Sequence, residues 1–249
     1  MSTAPSRSAL RAFDVLDAFR TAGRPLSLSE IAQMADIPLS TCHSVVRALE
    51  QYGILYFLSN RESYPTRWLW DVAREINAND PIAARCLPAL TALRDATRET
   101  VILGTRQDDR VLYLMVIESD QTIRYSSRAG DFKPLHSSAI GKVMLMTMPD
   151  AQREQWLSGH ALDQATPATI TDAQRLHADL QASAQRGYAL TRGENVADVM
   201  AIAAALTWGP TTLGVAVAGP LHRMEQNEDT ISQQLLSCVA GIGPDAKGA

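Results

Sequence analysis

Long apolar runs are missing from this chain. The greasiest stretch, Val199 to Trp208, has the length of a strand, well short of the roughly 18 residues a membrane-spanning helix needs. The opening MSTAPSRSALRAF has no apolar core of the kind a secretory leader carries, so a cytoplasmic location is expected, without a membrane. Cysteine is scarce: Cys42, Cys86 and Cys238 are far apart and odd in number. Without CxxC pairs, reduced thiols are expected rather than a disulfide framework. The histidines His43, His136, His160, His177 and His222 lack the HExxH spacing, and GxSxG, Walker and GxGxxG motifs are absent. Neither a metal, nor a cofactor, nor an enzyme is therefore expected. His136 beside Ser137 and Ser138 offers a base next to hydroxyls, but no third member of a triad is evident, and a loop histidine is the plainer reading. Lysine is absent from residues 1–78, where eight arginines face eight acids. That segment is neutral, so its non-specific pull on nucleic acid is expected to be modest.

What is present suffices for a packed core: 249 residues, 46% hydrophobic and 20% charged, with a net charge of −4. That length allows one or two domains. Ala9, Leu10, Phe13, Val15, Leu16 and Phe19 recur at helical spacing and predict a first helix, ended by Gly23-Arg24-Pro25. Ser27-Leu28-Ser29-Glu30 reads as a capping box opening a second, short helix. Asp36-Ile37-Pro38 turns the chain into a third helix, Leu39 to Gln51, which Gly53 stops. Projected at about 100° per residue, Cys42, Val45, Val46 and Leu49 share one face, and Ser40, His43, Ser44 and Arg47 the other. Short hydrogen-bonding groups with one arginine and no acid suit a helix that enters a DNA major groove. The alternative is an ordinary solvated face. Ile54–Leu58 and Tyr64–Arg67, joined by the turn Ser59–Ser63, predict a β-hairpin wing. The order predicts a winged helix-turn-helix DNA-binding domain over residues 1–67.

An amphipathic linker helix is expected over residues 68–79, with Leu69, Val72, Ala73 and Ile76 apolar. Asp80 and Pro81 then open residues 80–249, expected to form an effector-binding and oligomerisation domain. Its predicted elements are a helix from Pro81 to about Arg98, strands at Thr100–Thr105, Arg110–Ile117 and Thr122–Ser126, and a helix from Ser137 to Met146. Next come a short helix at Pro149 and a second capping box at Thr171-Asp-Ala-Gln174, whose helix ends at Gly187. Strands at Tyr188–Thr191, Met200–Leu206 and Leu213–Ala218 precede a last helix from Leu221 to about Val239, with a frayed tail. Helices interleaved with hairpin-spaced strands predict an α+β fold with a mostly antiparallel sheet.

Three segments, in this order, carry a resemblance to the IclR family of bacterial transcription regulators: LSLSEIAQMADIPLSTCHSVVRALEQYGIL, PLHSSAIGKVML, and GYALTRGENVADVMAIAAAL with LGVAVAGP. The resemblance implies a GAF-like effector domain behind the winged helix and a homodimer or homotetramer. It further implies control of genes for catabolism of small organic acids. The partners it implies are operator DNA, a small organic acid and, for an activator, RNA polymerase. The competing class is an enzyme or metabolite-binding protein using the winged helix as a protein-interaction module.

Two sets of residues are expected to bind. On the DNA side stand Ser40, Thr41, His43, Ser44 and Arg47 of the third helix, with Arg61 and Arg67 on the wing and Arg7 and Arg11 near the start. Family members more often carry a basic residue where Ser44 and Leu39 stand. On the effector side, Ser138, Ala139 and Ile140 begin a helix, where free amides and the helix dipole favour a carboxylate. The alternative is an ordinary capped helix, and the resemblance favours the ligand, since family members use amides matching Ala139 and Ile140. Where members that bind very small acids place an Asp, a Cys and two Ser, this chain has Thr191, Ala201, Ala216 and Ala218. Thr122, Tyr125 and Val199 match other lining positions. Such a pocket suits an aromatic or otherwise apolar carboxylate anchored at one end.

Overall fold

The computed structural model describes residues 7–58 and 60–243, with side chains from residue 10 onward. The Arg7 side chain, Ser59 of the wing turn and the tail 244–249 lie outside the described residues. The chain divides into two compact units, Met1–Asp80 and Pro81–Ala249.

The first unit runs α1 (Arg7–Ala22), β1 (Leu26–Ser27), α2 (Leu28–Met34), α3 (Leu39–Gln51), β2 (Leu55–Phe57), β3 (Glu62–Pro65) and α4 (Trp68–Ala78). Val15 and Phe19 of α1, Ile31 of α2 and Cys42, Val46 and Leu49 of α3 form its core with Leu26 and Leu55. The capping box at Ser27 is formed: the Ser27 amide donates to Glu30 Oε2 at 2.8 Å and the Glu30 amide to Ser27 Oγ at 3.4 Å. The Ser27 hydroxyl, which also donates to Glu30 Oε2 at 2.7 Å, holds the Glu30 carboxyl down at about 2, together with Arg24 and the Ser27 amide. The wing is a three-stranded antiparallel sheet in the order β1-β3-β2, because the short β1 adds itself to the hairpin. Its second strand begins at Glu62 and ends at Pro65. Arg67, expected on the wing, instead precedes the first turn of α4, with its guanidinium 4.3 Å from the Trp70 ring centre. The apolar stripe expected on α4 stays largely open: none of its side chains is fully buried, Leu69 and Val72 are half-buried, and Ile76 is 68% exposed.

The second unit runs α5 (Pro81–Thr97), β4 (Thr100–Gln107), β5 (Arg110–Ile117), β6 (Phe132–Pro134), α6 (Ala139–Met146), α7 (Asp150–Gly159), α8 (Ala173–Arg186), β7 (Ala189–Arg192), β8 (Val199–Trp208), β9 (Thr211–Pro220), α9 (Leu221–Gln226) and α10 (Glu228–Ile242). Six strands form one antiparallel sheet in the order β6-β5-β4-β9-β8-β7. The fold is therefore α+β, as the pattern predicts. Side chains alternate across a strand, and here both faces are buried. Val101, Leu103, Met200, Ile202, Val215 and Val217 pack against α5, α9 and α10. Ile102, Ala203, Ala216 and Ala218 face α6, α7 and α8.

Three local expectations change. Residues 122–126 form a bend at Thr122 and Ile123 followed by irregular chain rather than a strand, and the sheet edge is closed instead by β6. The cap of α8 is Asp172, whose carboxylate accepts from the Arg175 amide at 2.8 Å, one residue past the expected Thr171. A carboxylate there also meets the positive end of the helix dipole, which a threonine does not offer. The last helix breaks at Asn227, whose φ of −120° is not helical. The Asn227 side chain donates to the Arg223 carbonyl at 2.9 Å while its own carbonyl receives the Ile231 amide.

Candidate functional site

The helix α6 is positioned by close backbone approaches that only glycine allows. A Cβ on Gly214 of β9 would stand 2.6 Å from Ile140 Cγ2, and one on Gly141 would collide with the Leu135 backbone. The helix therefore lies tight on the sheet, and every residue from Ala139 to Leu145 is buried. Ser138 caps it, accepting from the Gly141 amide at 3.2 Å and donating to the Pro134 carbonyl at 2.5 Å. The amides of Ala139 and Ile140 open the helix and belong to the first turn, where N–H groups have no carbonyl one turn back. The positive end of the helix dipole sits there as well.

A cavity lies against this end of α6. Its lining includes Tyr125, Ser138, Ala139, Ile140, Thr191, Val199, Ala201, Ala216 and Ala218. The pairing register explains the grouping. Thr191 faces Ala201, Ala201 faces Ala218, and Ile102 faces Ala216, so methyl groups from adjacent strands form a floor. Thr122, the remaining expected residue, does not line the cavity. It is exposed in the bend-rich segment that replaces the expected strand. At the β5 side of the floor the Tyr113 hydroxyl lies beside that of Tyr125, and burial, reinforced by Tyr125, pushes the Tyr113 phenol well above its usual range. The free space is about 30 Å³, where roughly 10–15 Å³ holds one water. Anything of aromatic size must displace part of the lining.

Ser137, Tyr113, Ile102, Asn195 and Val196 also line the cavity. Ser137 stands beside the expected seat. Ile102 and Tyr113 join only through strand pairings, and Asn195 and Val196 through the turn between β7 and β8. Periodicity along the chain carries no signal for these contacts.

Below the amide seat, Lys142 is fully buried. Its ammonium lies 2.7 Å from Glu194 Oε1 and 2.8 Å from Asp179 Oδ2. Burial pushes the Glu194 carboxyl up, opposed by Lys142. His136, just before the cap, is lowered by burial and donates from Nε2 to the Asp163 carbonyl at 3.0 Å. It is a structural loop histidine. Arg192 spends its guanidinium on Glu228 at 2.5 Å, and Arg124 on Glu118 at 3.3 Å, so both are engaged by the protein's own acids. Among the described residues, no cluster of three or more His, Cys, Asp or Glu could hold a metal ion.

In the first unit, Ser40, His43, Ser44 and Arg47 are exposed on α3 and Thr41 is partly so. Ser44 Oγ donates back to the Ser40 carbonyl at 3.1 Å, which leaves its lone pairs outward. Among the described residues, Arg47 makes no hydrogen bond, ion pair or ring contact. Arg61 is exposed in the wing turn with φ 65°. Arg67 belongs with Trp70 instead.

Comparison with known proteins covers nearly all of both units. Residues 8–59 match the IclR helix-turn-helix domain and residues 76–243 the bacterial transcriptional regulator IclR C-terminal domain. The chain is 30% identical over 235 residues to the probable transcriptional regulator SauR of Cupriavidus necator, covering 92% of each. It is 33% identical over 219 residues to the HTH-type transcriptional regulator BhcR of Paracoccus denitrificans, covering 86% of this chain and 77% of that protein. In fold it resembles the Thermotoga maritima IclR structure, with TM-score 0.76, 24% identity and 95% and 99% of the two chains covered. It also resembles an IclR homologue from Microbacterium hydrocarbonoxydans solved with 4-hydroxybenzoate, with TM-score 0.74, 24% identity and 94% and 97% covered.

Proposed function

Because the chain belongs to the IclR family of bacterial transcriptional regulators, we propose that it controls catabolic genes in response to an aromatic or otherwise apolar carboxylate. The acid's carboxylate takes the amides of Ala139 and Ile140, and its apolar body lies on the Ala201, Ala216 and Ala218 methyls. One observation carries the reading: the helix-end amides of Ala139 and Ile140 share the cavity with the methyl groups of Ala201, Ala216 and Ala218 at positions where family members that bind very small acids carry polar side chains. A tiny dicarbonyl acid would leave most of its polar atoms unpaired there, which is costly in a buried site. The 4-hydroxybenzoate bound by the similar Microbacterium protein is an acid of the proposed class.

The exposed Ser40–Arg47 flank of α3 is the proposed reading head, with Arg61 reaching backbone phosphates from the wing. Near-neutral charge over this unit makes a dimer reading two half-sites the natural arrangement. The effector acts by binding one arrangement of the dimer better than the other, since equal affinity shifts nothing. Among the described residues no helix is long and apolar enough to cross a membrane, and we place the protein in the cytoplasm.

Calorimetric titration with aromatic and short aliphatic acids tests the effector. Tighter binding of glyoxylate-like acids than of aromatic ones overturns it. Arg47→Ala tests the head: operator affinity should fall by about 1–3 kcal/mol with acid binding unchanged. Intact operator binding would favour the protein-interaction alternative.

A further inference from the structure

Two loop segments line the cavity with residues that also reach solvent, Tyr125 in one and Asn195 and Val196 in the other, and they are anchored differently. The first carries Tyr125 and is pinned at that residue. The buried Thr100 hydroxyl donates to the Tyr125 carbonyl at 2.6 Å. Arg223 donates to the Ile123 carbonyl at 3.0 Å while paired with buried Glu99. The Ser126 hydroxyl donates to Glu118. The second is the turn from Gly193 to Val199, which carries Asn195 and Val196, and among the described residues its shorter bonds gather at its ends. Thr166 and Thr169 hydroxyls donate to the Gly193 and Glu194 carbonyls, each at 2.6 Å. Lys142 holds the Glu194 carboxylate. The Gly193 amide closes on the Val199 carbonyl at 2.8 Å, and the Leu221 amide holds the Asp198 carbonyl at 2.8 Å. Between these pins, a bond within the turn from the Val199 amide to the Val196 carbonyl and one side-chain bond hold the tip. The side-chain bond runs from Asn195 Nδ2 to Ser137 Oγ at 3.3 Å, beyond the usual N–H···O range.

We propose that the tip of this turn is the movable cover of the cavity, and that Asn195 is both its latch and a ligand-binding residue. The inference rests on the reading that an organic acid occupies the cavity. Ser137 immediately precedes the capped amide seat. A carboxylate arriving at the amides of Ala139 and Ile140 therefore lands beside the group to which Asn195 now donates. Entry breaks the weak amide–hydroxyl bond. On closure Nδ2 donates to the carboxylate, a charge-assisted bond stronger than the neutral one it replaces. The pinned ends return the turn to the same place, so Asn195 adds a third donor to the two backbone amides.

The cover is tested without ligand. In hydrogen exchange on the full ligand-free chain, amides of residues 195–197 should exchange faster than those of 123–126, and the reverse order overturns the cover. The ligand role is tested by calorimetry with 4-hydroxybenzoate and its uncharged amide. Asn195→Asp should weaken the acid by about tenfold or more, because it places a carboxylate against a carboxylate, and leave the amide within about threefold. Equal weakening of both ligands, or none, overturns it. Asn195→Ala should speed acid association and dissociation, whereas acceleration by Thr100→Val alone would move the cover to the Tyr125 segment. Failure of the wild type to bind any aromatic acid overturns the effector assignment and the ligand role together, and the exchange order still decides the cover.

Discussion

The two faces of strands β8 and β9 are built from different side chains. Toward α5 and α10 they present Met200, Ile202, Leu206, Val215 and Val217. Toward α6 they present Ala201, Ala203, Ala205, Ala216 and Ala218. Same strands and same hydrogen bonds yield one face packed full and one with a gap. The large face supplies burial energy, at roughly 1.5–3 kcal/mol for each fully buried large aliphatic side chain. The small face forgoes part of that burial and keeps space next to a helix end. Where α6 does touch the sheet, Gly214 lets it come close. Beside that contact the alanines stand back from the helix start. A residue type that contributes little to stability thus marks the proposed binding site.

Substitutions on either side of the sheet should separate these roles. The largest loss is expected on the small face, but from its ion pair. Lys142→Met leaves Glu194 buried without its cation and should cost about 3–5 kcal/mol in denaturant unfolding. On the large face, Ile202→Ala should cost about 2–5 kcal/mol and leave acid affinity nearly intact. Ala216→Val should do the reverse. Stability should change by about 1 kcal/mol or less, because the added methyls enter existing space, while aromatic-acid binding is lost. Equal effects of the last two on stability and binding would erase the distinction between the faces. In the first unit, Ser27→Ala removes the cap of α2 and should cost about 1 kcal/mol.

A smaller effect follows from pH. Burial lowers the His136 pKa in the folded protein, so the unfolded chain takes up a proton first as pH falls. Stability from this residue is complete above the ordinary histidine value and declines as pH drops through the folded one. His136→Gln should flatten unfolding free energy between pH 7 and 5. An unchanged slope assigns the pH dependence to other groups.

Much of the candidate site was legible in the chain. Short-range signals worked where the interaction itself is short-range: the Ser27–Glu30 box, the two faces of α3 and the capped start of α6 involve residues within one or two turns. The resemblance supplied Thr191, Val199, Ala201, Ala216 and Ala218, and all five line the cavity. Local reading failed where two neighbouring groups compete or a distant strand intervenes. Asp172 displaced Thr171 as a cap because its charge suits the helix dipole. The segment around Thr122 has strand-like residues, yet β6 took the neighbouring edge, and Thr122 was left in solvent.

By itself the sequence determined most of the helices, the Ser27 cap, the polar flank of α3 and the alternation that makes one strand face small. Each of these is a property of residues a few positions apart, governed by the 3.6-residue and two-residue periods. Only tertiary structure decided that Ile102 lies beside Ala216, that Tyr113 meets Tyr125, that Lys142 is buried with Glu194 and Asp179, and that Asn195 reaches Ser137. Those meetings join positions as many as 114 residues apart, as for Ile102 and Ala216. No local period encodes them, because they exist only once strand register and the packing of α6 have brought distant segments together.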